Sequence, residues 1–349
     1  MSGVQIVTVD DDGQDQRLDR WFKRIFPHIN QGRIEKMCRK GEIRVEGARA
    51  KSNTRLETGQ SVRIPPLPEP GVQHSSPKFT YISDENRKMI RDCVIFKDEH
   101  IIAINKPAGL PTQGGTNQTL HVDMLCEALM FDMETKPKLV HRLDKDTSGV
   151  LLLARTGKAA RGLAKAMQDR ETRKIYWALV AGRLPNRVGT VHYGLIKSAG
   201  HGPNNAGEKM QCIHPREVEN TPGAKRATTD YAVIETIGTR TTWVGLAPIT
   251  GRTHQLRAHM AELGCPIIGD GKYGGSGQSN DGEGWGAQIG GDISRKMHLH
   301  ARSITFTHPV TGKKNMMIEA DLPDHMQRSW DMFGWDLKWA PKDPFKIFE

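Results

Sequence analysis

The chain has 349 residues, of which 37% are hydrophobic: enough to bury more than one core, and too polar for a membrane-spanning or fibrous protein. Its 50 Lys and Arg against 40 Asp and Glu leave a net charge of +10, which points to a polyanionic partner. The five cysteines, Cys38, Cys93, Cys126, Cys212 and Cys265, are odd in number and widely separated, which argues against a disulfide framework and for reduced thiols in the cytoplasm.

The N-terminus is acidic at Asp10, Asp11, Asp12 and Asp15 and has no apolar core of signal-peptide length, so residues 1–16 read as a tail. From about Arg17 to Pro65 the composition changes. Residues 17–64 hold thirteen Lys or Arg against five Asp or Glu, so most of the excess charge sits in about a seventh of the chain. Leu18, Trp21, Phe22 and Ile25 recur at helical spacing, with Asp15 available as a cap. A second helix begins near Asn30, turns Ile34 and Met37 inward and ends at Gly41. Two short strands follow, around Ile43 and Val45 and around Val62 and Ile64. Arg33, Lys36, Arg39 and Lys40 fall away from the apolar face of the second helix, where they can line a phosphate backbone or stand as a solvated basic face. Three strings, Arg17-Leu18-Asp19-Arg20-Trp21, Gly32-Arg33-Ile34-Glu35-Lys36 and Lys40-Gly41-Glu42-Ile43-Arg44-Val45, resemble the small α/β RNA-binding module named after ribosomal protein S-four. That resemblance implies the RNA-binding use.

Pro65, Pro66, Pro68 and Pro70, followed by Ser75, Ser76 and Pro77, form a stiff polar stretch without periodicity, and residues 66–90 read as a linker. Strand character then appears at Val94 to Phe96, Ile101 to Ile104, Val150 to Ala154, Ile175 to Ala181, Ala227 to Glu235, Trp243 to Ala247 and Met297 to Phe306. Helical stretches lie near 120–130, 157–170 and 253–263. Strands outnumber helices and several follow one another directly, which predicts an α+β domain over about 91–325 on a mixed, largely antiparallel sheet. Residues 197–225 and 274–291, rich in Gly, Asn, Pro and charge, read as long surface loops, and 326–349 as a C-terminal tail. Gly274-Gly275-Ser276-Gly277 lacks the Gly-Lys-Ser/Thr ending of a phosphate loop.

The stretch with most chemical content is His141-Arg142-Leu143-Asp144-Lys145-Asp146-Thr147-Ser148-Gly149-Val150, running into Leu151-Leu152-Leu153-Ala154. It sets Asp144 among cations, and a basic setting favours an ionised carboxylate that can attack an electron-poor sugar carbon. Three further motifs share the domain. Asn105-Lys106-Pro107-Ala108-Gly109-Leu110 is a strand ending in a Pro/Gly loop. Arg173-Lys174-Ile175-Tyr176-Trp177-Ala178-Leu179-Val180 is a strand that places Tyr176 opposite Ile175, Trp177 and Leu179. In Thr250-Gly251-Arg252-Thr253-His254-Gln255-Leu256-Arg257-Ala258-His259, Thr253 can cap a helix that ends at Gly264. His254 and His259 are five apart and do not share the face of a zinc-binding His-Glu-x-x-His motif; no Cys-x-x-Cys is present, and no metal is expected.

Together these four motifs, in this order, resemble the RluA family of RNA pseudouridine synthases over about Val94 to Leu322. The resemblance implies the pseudouridine synthase fold, no cofactor, and structured RNA as partner, with large-subunit ribosomal RNA as the expected substrate and transfer RNA as the alternative. It makes Asp144 the catalytic carboxylate, acting by attack on the anomeric carbon or by helping to form an elimination intermediate. Tyr176 becomes a ring packed on the target base and a general base or positioning hydroxyl. Arg257 becomes the cation paired with Asp144, and Arg142 the residue that enters the RNA helix and helps hold the base flipped out, or a partner of Asp144 or Asp146. Lys106 is grouped with the RNA-binding cations, whereas Arg252 and His254 hold backbone or structure. Gly269-Asp270-Gly271-Lys272-Tyr273-Gly274 also looks family-like and is given no catalytic part. A non-catalytic RNA-binding or ribosome-assembly factor of this fold is the competing reading, and a two-carboxylate glycosidase is disfavoured for want of a second carboxylate motif.

Overall fold

The computed structural model describes residues 3–68, 82–115, 118–169, 171–198, 209–274 and 293–345. The chain divides into two compact units, Met1–Thr80 and Tyr81–Glu349.

In the first unit, β1 (Gln5–Thr8), α1 (Leu18–Ile25), α2 (Gln31–Lys40), β2 (Arg44–Val45), β3 (Ala48–Arg49) and β4 (Ser61–Ile64) build two helices on a four-stranded sheet of order β1-β4-β2-β3. Leu18, Trp21 and Phe22 of α1 and Ile34 and Met37 of α2 close on Ile43, Leu56, Val62 and Ile64. The Asn30 side chain accepts the Arg33 amide at the start of α2, and Gly41, with φ +70°, ends it in the left-handed conformation that glycine adopts without strain. Two expectations are corrected here. Residues 1–16 are not a tail: Gln5–Thr8 pairs antiparallel with β4, Val9 is buried in the core, and Asp10 forms an ion pair with Arg24. The acidic run next to this strand conceals it in the sequence. Asp15 does not cap α1, whose N-cap is Arg17, and Ile25 lies at the surface.

The second unit runs α3 (Asp84–Asp92), β5 (Val94–Lys97), β6 (Ile101–Lys106), α4 (Val122–Leu125), β7 (Lys138–Leu139), β8 (Ser148–Ala154), α5 (Gly157–Ala166), β9 (Arg173–Ala181), β10 (Val188–Ser198), β11 (Lys209–Ile213), β12 (Lys225–Ile237), β13 (Thr241–Pro248), α6 (Gln255–Glu262), β14 (Leu299–Phe306), β15 (Met316–Glu319) and α7 (Asp324–Phe333). One sheet of 11 strands carries the path β11-β10-β12-β13-β9-β14-β8-β6-β5, with β15 on β14 and β7 on β8. Every pair is antiparallel except β14 with β8, which meet in parallel at His300–Ser148 and Ala301–Gly149, giving the expected α+β fold with a mixed, largely antiparallel sheet. Gly149 is required at that junction. Its φ is +109°, and a Cβ there would lie 2.2 Å from the Ala301 carbonyl oxygen, so only glycine lets β8 and β14 approach where the loop holding Asp144 joins the sheet.

On one sheet face Ile175, Trp177 and Leu179 of β9 pack with Trp243, Met326, Trp330 and Trp335; on the other, Ala178 and Val180 pack with Val244, Leu246, Leu299 and Met260 of α6. The first of these clusters overturns the C-terminal tail. Trp330 is fully buried, its ring centroid 5.3 Å from that of Trp243, so α7 is a structural helix. The linker also ends early, because α3 starts at Asp84 and buries Ile90; residues 69–81 within it lie outside the described residues. The stretch 197–225 is not a single loop, since β10 extends to Ser198 and β11 spans Lys209–Ile213; residues 199–208 lie outside the described residues. So do residues 275–292, which hold most of the second expected loop and of the Gly-rich string. Among the described residues no helix is long and apolar enough to cross a membrane, and no group of three or more His, Cys, Asp or Glu is placed to share a metal ion.

Candidate active site

Asp144 sits in the loop between β7 and β8, and hydrogen bonds hold the chain on both sides of it. On the preceding side, Thr112 Oγ1 donates to the Leu143 carbonyl at 2.7 Å and receives the Leu143 amide at 3.2 Å. On the following side, Lys106 Nζ donates to the carbonyls of Lys145 at 3.0 Å, Leu110 at 2.8 Å and Pro107 at 2.9 Å, and the Gly109 amide also donates to Lys145. His141 accepts the Leu152 amide through Nε2 at 2.9 Å, tying the start of the loop to β8. This corrects Lys106 as an RNA-binding cation: it is 0% exposed, and its ammonium group is used up on three carbonyls. Burial pulls its pKa down to about 7, against the attraction of Asp146 and Asp144.

Arg257 lies on α6, whose start differs from the expected cap. The N-cap is His254, not Thr253, and its backbone is left-handed, with φ +51° and ψ +21°. The first turn is stitched by Gln255, whose Oε1 accepts from Thr250 Oγ1 at 2.7 Å and from the Arg252 amide at 3.0 Å, while its Nε2 donates to the Thr228 carbonyl and to Thr229 Oγ1 on β12. Arg257 is 5% exposed. Its Nη1 donates to Asp144 Oδ2 at 3.3 Å, and its Nε and Nη2 make a two-pronged contact with Asp270 Oδ2 and Oδ1, both at 2.7 Å. Burial alone would lower the guanidinium pKa, but Asp270 and Asp144 reverse that and hold it above its ordinary value. Asp270 is buried and also receives the backbone amides of Lys272 and Tyr273 on Oδ1. The sequence showed the Asp270 motif without its use: Asp270 aims the arginine that faces Asp144. No local pattern announces this, because the pairing depends on how the chain turns back after α6.

Tyr176 on β9 faces the same space as Asp144, on the sheet side opposite Trp177. Burial, and after it the charge of Asp144, raises its hydroxyl pKa well above the ordinary tyrosine value. Both effects oppose ionisation of this hydroxyl. Arg142 is exposed at the rim, and Leu143, Thr147, His254, Leu256 and Leu299 complete a cleft of about 170 Å³. That is below the ~300–1,000 Å³ of sites for drug-sized ligands. An open groove of about 900 Å³ shares Pro248, Thr250, Gly251 and Arg252 with the cleft and adds Arg173 and Lys174. Arg33, Lys36, Arg39 and Lys40 belong to the first unit and are exposed on α2.

The sheet thus brings a buried arginine, the aspartate it contacts and a tyrosine together at one cleft. Residues 100–262 match the family model of RNA pseudouridylate synthases. The chain is 35% identical over 314 residues to the ribosomal large subunit pseudouridine synthase C of Rickettsia prowazekii (strain Madrid E), covering 89% of this chain and 95% of that one. It is 32% identical to the protein of the same name from Vibrio cholerae serotype O1, over 93% of this chain and 96% of that one. Among solved structures, human RNA pseudouridylate synthase domain containing 4 superposes with a TM-score of 0.57 at 26% identity, over 72% of this chain and 96% of that one. The chain belongs to the RNA pseudouridylate synthase family and is a pseudouridine synthase, an isomerase.

Proposed function

We propose that this enzyme converts specific uridines of large-subunit ribosomal RNA to pseudouridine, with Asp144 as the reacting carboxylate. The observation that carries the reading is the line Asp270–Arg257–Asp144, which fixes one carboxylate at the wall of a cleft that Tyr176 shares. The ribosomal substrate is supported by the names of the relatives, which match over almost their full length.

The chemistry requires the bond from ribose C1′ to uracil N1 to break and a bond from C1′ to C5 to form, while the C5 proton leaves and N1 gains one. Asp144 can form a transient ester at C1′ as N1 departs and be displaced when C5 attacks, or it can assist elimination to an unsaturated sugar. Both routes need the carboxylate held still beside the sugar, which is the work of Arg257 and of the bonds flanking the loop. The Tyr176 ring supports the detached base while it turns, and its neutral hydroxyl can donate a hydrogen bond to the base's developing negative charge. At the rim, Arg142 occupies the place from which a planar cation can fill the gap left by a flipped nucleotide. The groove with Arg173, Lys174 and Arg252 offers a path for the flanking strand, and the basic face of α2 adds phosphate contacts that carry no sequence information.

Incubating the purified protein with unmodified large-subunit RNA and mapping pseudouridine at single-nucleotide resolution tests this. Discrete new sites are expected. Modification of transfer RNA alone would move the substrate assignment, and product on neither RNA would place the substrate elsewhere.

A further inference from the structure

His254 occupies an uncommon backbone region for a residue with a side chain, at φ +51° and ψ +21°, at the very start of the helix that carries Arg257. Such strain persists where the surroundings over-determine it, and here the consequence is visible. The imidazole Nε2 faces Asp144 Oδ2 at 3.8 Å, while Nδ1 lies 3.1 Å from the Tyr273 hydroxyl. That hydroxyl already receives the Met210 amide, from β11, at 2.7 Å. Its own hydrogen is then available to Nδ1.

The direction of these bonds can be worked out from donor and acceptor capacity. The carboxylate of Asp144 only accepts, so the ring nitrogen that faces it is best as N–H. A neutral imidazole has one such hydrogen, which leaves Nδ1 as an acceptor, and the Tyr273 hydroxyl, whose hydrogen is not used by the Met210 amide it accepts, is a donor that fits. The Asp144 end selects the Nε2–H tautomer, and the Tyr273 end fits it. Neutrality is supported by burial, which lowers the His254 pKa, and by the neighbouring cations Arg257 and Lys272, against Asp144 and Asp270. Tyr273 is itself held protonated, its pKa pushed up to about 12 chiefly by burial.

We propose that His254 is a positioning residue for Asp144: Tyr273 fixes the imidazole as the Nε2–H tautomer, which closes onto Oδ2 beside Arg257 and leaves Oδ1 as the oxygen presented to the ribose. The Arg257 and His254 nitrogens converge on the same oxygen, at 3.3 and 3.8 Å. His254 is the N-cap of the helix that carries Arg257, so the left-handed turn at the cap and the first turn of the helix together bring both side chains to Asp144. A movement of roughly 1 Å on substrate binding brings Nε2 within hydrogen-bond distance, as active-site contacts commonly tighten in the bound complex. The inference rests on Asp144 being the reacting carboxylate.

The test combines a spectroscopic readout with a kinetic one on the full chain. In ¹⁵N-labelled wild type, two-bond ¹H–¹⁵N correlations of the His254 ring, assigned by their loss in His254→Asn, should show hydrogen on Nε2 and a bare Nδ1. Tyr273→Phe should give a mixture of tautomers. His254→Asn keeps a residue that tolerates the left-handed backbone but cannot reach Asp144. It should fold, bind RNA as wild type does and lose roughly tenfold in single-turnover rate, as expected for one hydrogen bond to a charged group. Hydrogen on Nδ1 in the wild type, a wild-type rate in His254→Asn, or a loss confined to RNA affinity would each overturn the proposal. An active Asp144→Asn enzyme would instead remove the carboxylate assignment, and the tautomer measurement, which needs no turnover, would still report on His254 and Tyr273 alone.

Discussion

On α2 of the first unit Arg33, Lys36, Arg39 and Lys40 stand in solvent, and the ion pair of Lys40 with Glu42, at 3.6 Å, is exposed on both sides. Arg257 in the second unit is nearly inaccessible, and its guanidinium is divided between two carboxylates. The same kind of charge does different work in the two places. Exposed cations are hydrated and screened, so each adds little and orientation is unimportant; on the proposed reading of α2, their effect would accumulate as counterions released from RNA. A buried cation is costly to desolvate and persists only where partners are correctly placed, so its value lies in geometry and the loss of one partner is severe. Changes near Arg257 should therefore act on rate and folding with little effect on affinity, and changes on α2 should do the reverse.

The largest expected effect comes from Asp144→Asn, which keeps the shape of the site and removes the reacting oxygen. Single-turnover pseudouridine formation should fall by roughly 10⁴-fold or more while RNA affinity stays near wild type. A variant that still turned over at a comparable rate would take Asp144 out of the mechanism and with it the functional half of the comparison.

Next is Asp270→Asn. The substitution replaces one carboxylate oxygen by an amide NH₂ that must face a guanidinium N–H, and it leaves a buried arginine with half its compensation. Breaking a buried pair in this way costs about 3–5 kcal/mol, readable as a lower urea midpoint. Because Arg257 also loses its aim, the rate should drop by about 10²-fold in protein that remains folded. Wild-type kinetics in folded Asp270→Asn would show that Arg257 holds its orientation without that carboxylate.

Asp270 also marks the limit of what could be read in advance. The strands at β6, β9, β12, β13 and β14 announce themselves by β-branched and aromatic residues and β8 by a continuous apolar run, and Asp144, Tyr176 and Arg257 sit in motifs that the family resemblance selects. Those three do line one cleft. What failed to show depends on burial and tertiary closure. Lys106 looks like any surface lysine until three carbonyls are seen around it. β10 carries Gly189 and Gly194 among polar residues, and β11 is an edge strand, so neither gives a clear apolar run. In α7 and just after it, the tryptophans that matter face Trp243, about 90 residues earlier. The motif alone reads His254 as holding backbone or structure, and its placement 3.8 Å from Asp144 follows from a left-handed residue that no periodicity encodes.

Tyr176 gives a smaller and more discriminating test. With its pKa raised, the hydroxyl stays protonated through the neutral range, so a tyrosinate base is not populated and the wild-type rate should show no rise from tyrosine ionisation between roughly pH 6 and 9. Tyr176→Phe keeps the ring and should lose roughly tenfold, the value of a hydrogen bond to developing charge; Tyr176→Ala should lose considerably more. Equal losses in the two variants, with a rising pH limb in the wild type alone, would return the proton-removal role to the hydroxyl.

The smallest effect on rate, and the one that isolates the other side of the comparison, should come from replacing Arg33, Lys36, Arg39 and Lys40 together by glutamine. All four are exposed, and Arg33, Lys36 and Lys40 follow helical spacing along one stripe of α2, so the fold should not change. None of them lines the Asp144 cleft, and the rate at saturating RNA should stay at the wild-type value. Affinity should weaken by a similar factor for every RNA sequence tried, because phosphate contacts position without reading bases. The decisive quantity is the dependence of log K on log salt. Each phosphate that the variant no longer neutralises lowers its slope by roughly 0.7–0.9, so the variant should fall short of the wild type by about 3 if all four cations reach the backbone. A slope that does not move would make this face a solvated surface and leave RNA affinity to the groove beside the active site; a fall in saturated rate would show that the first unit takes part in placing the uridine as well as in holding the RNA.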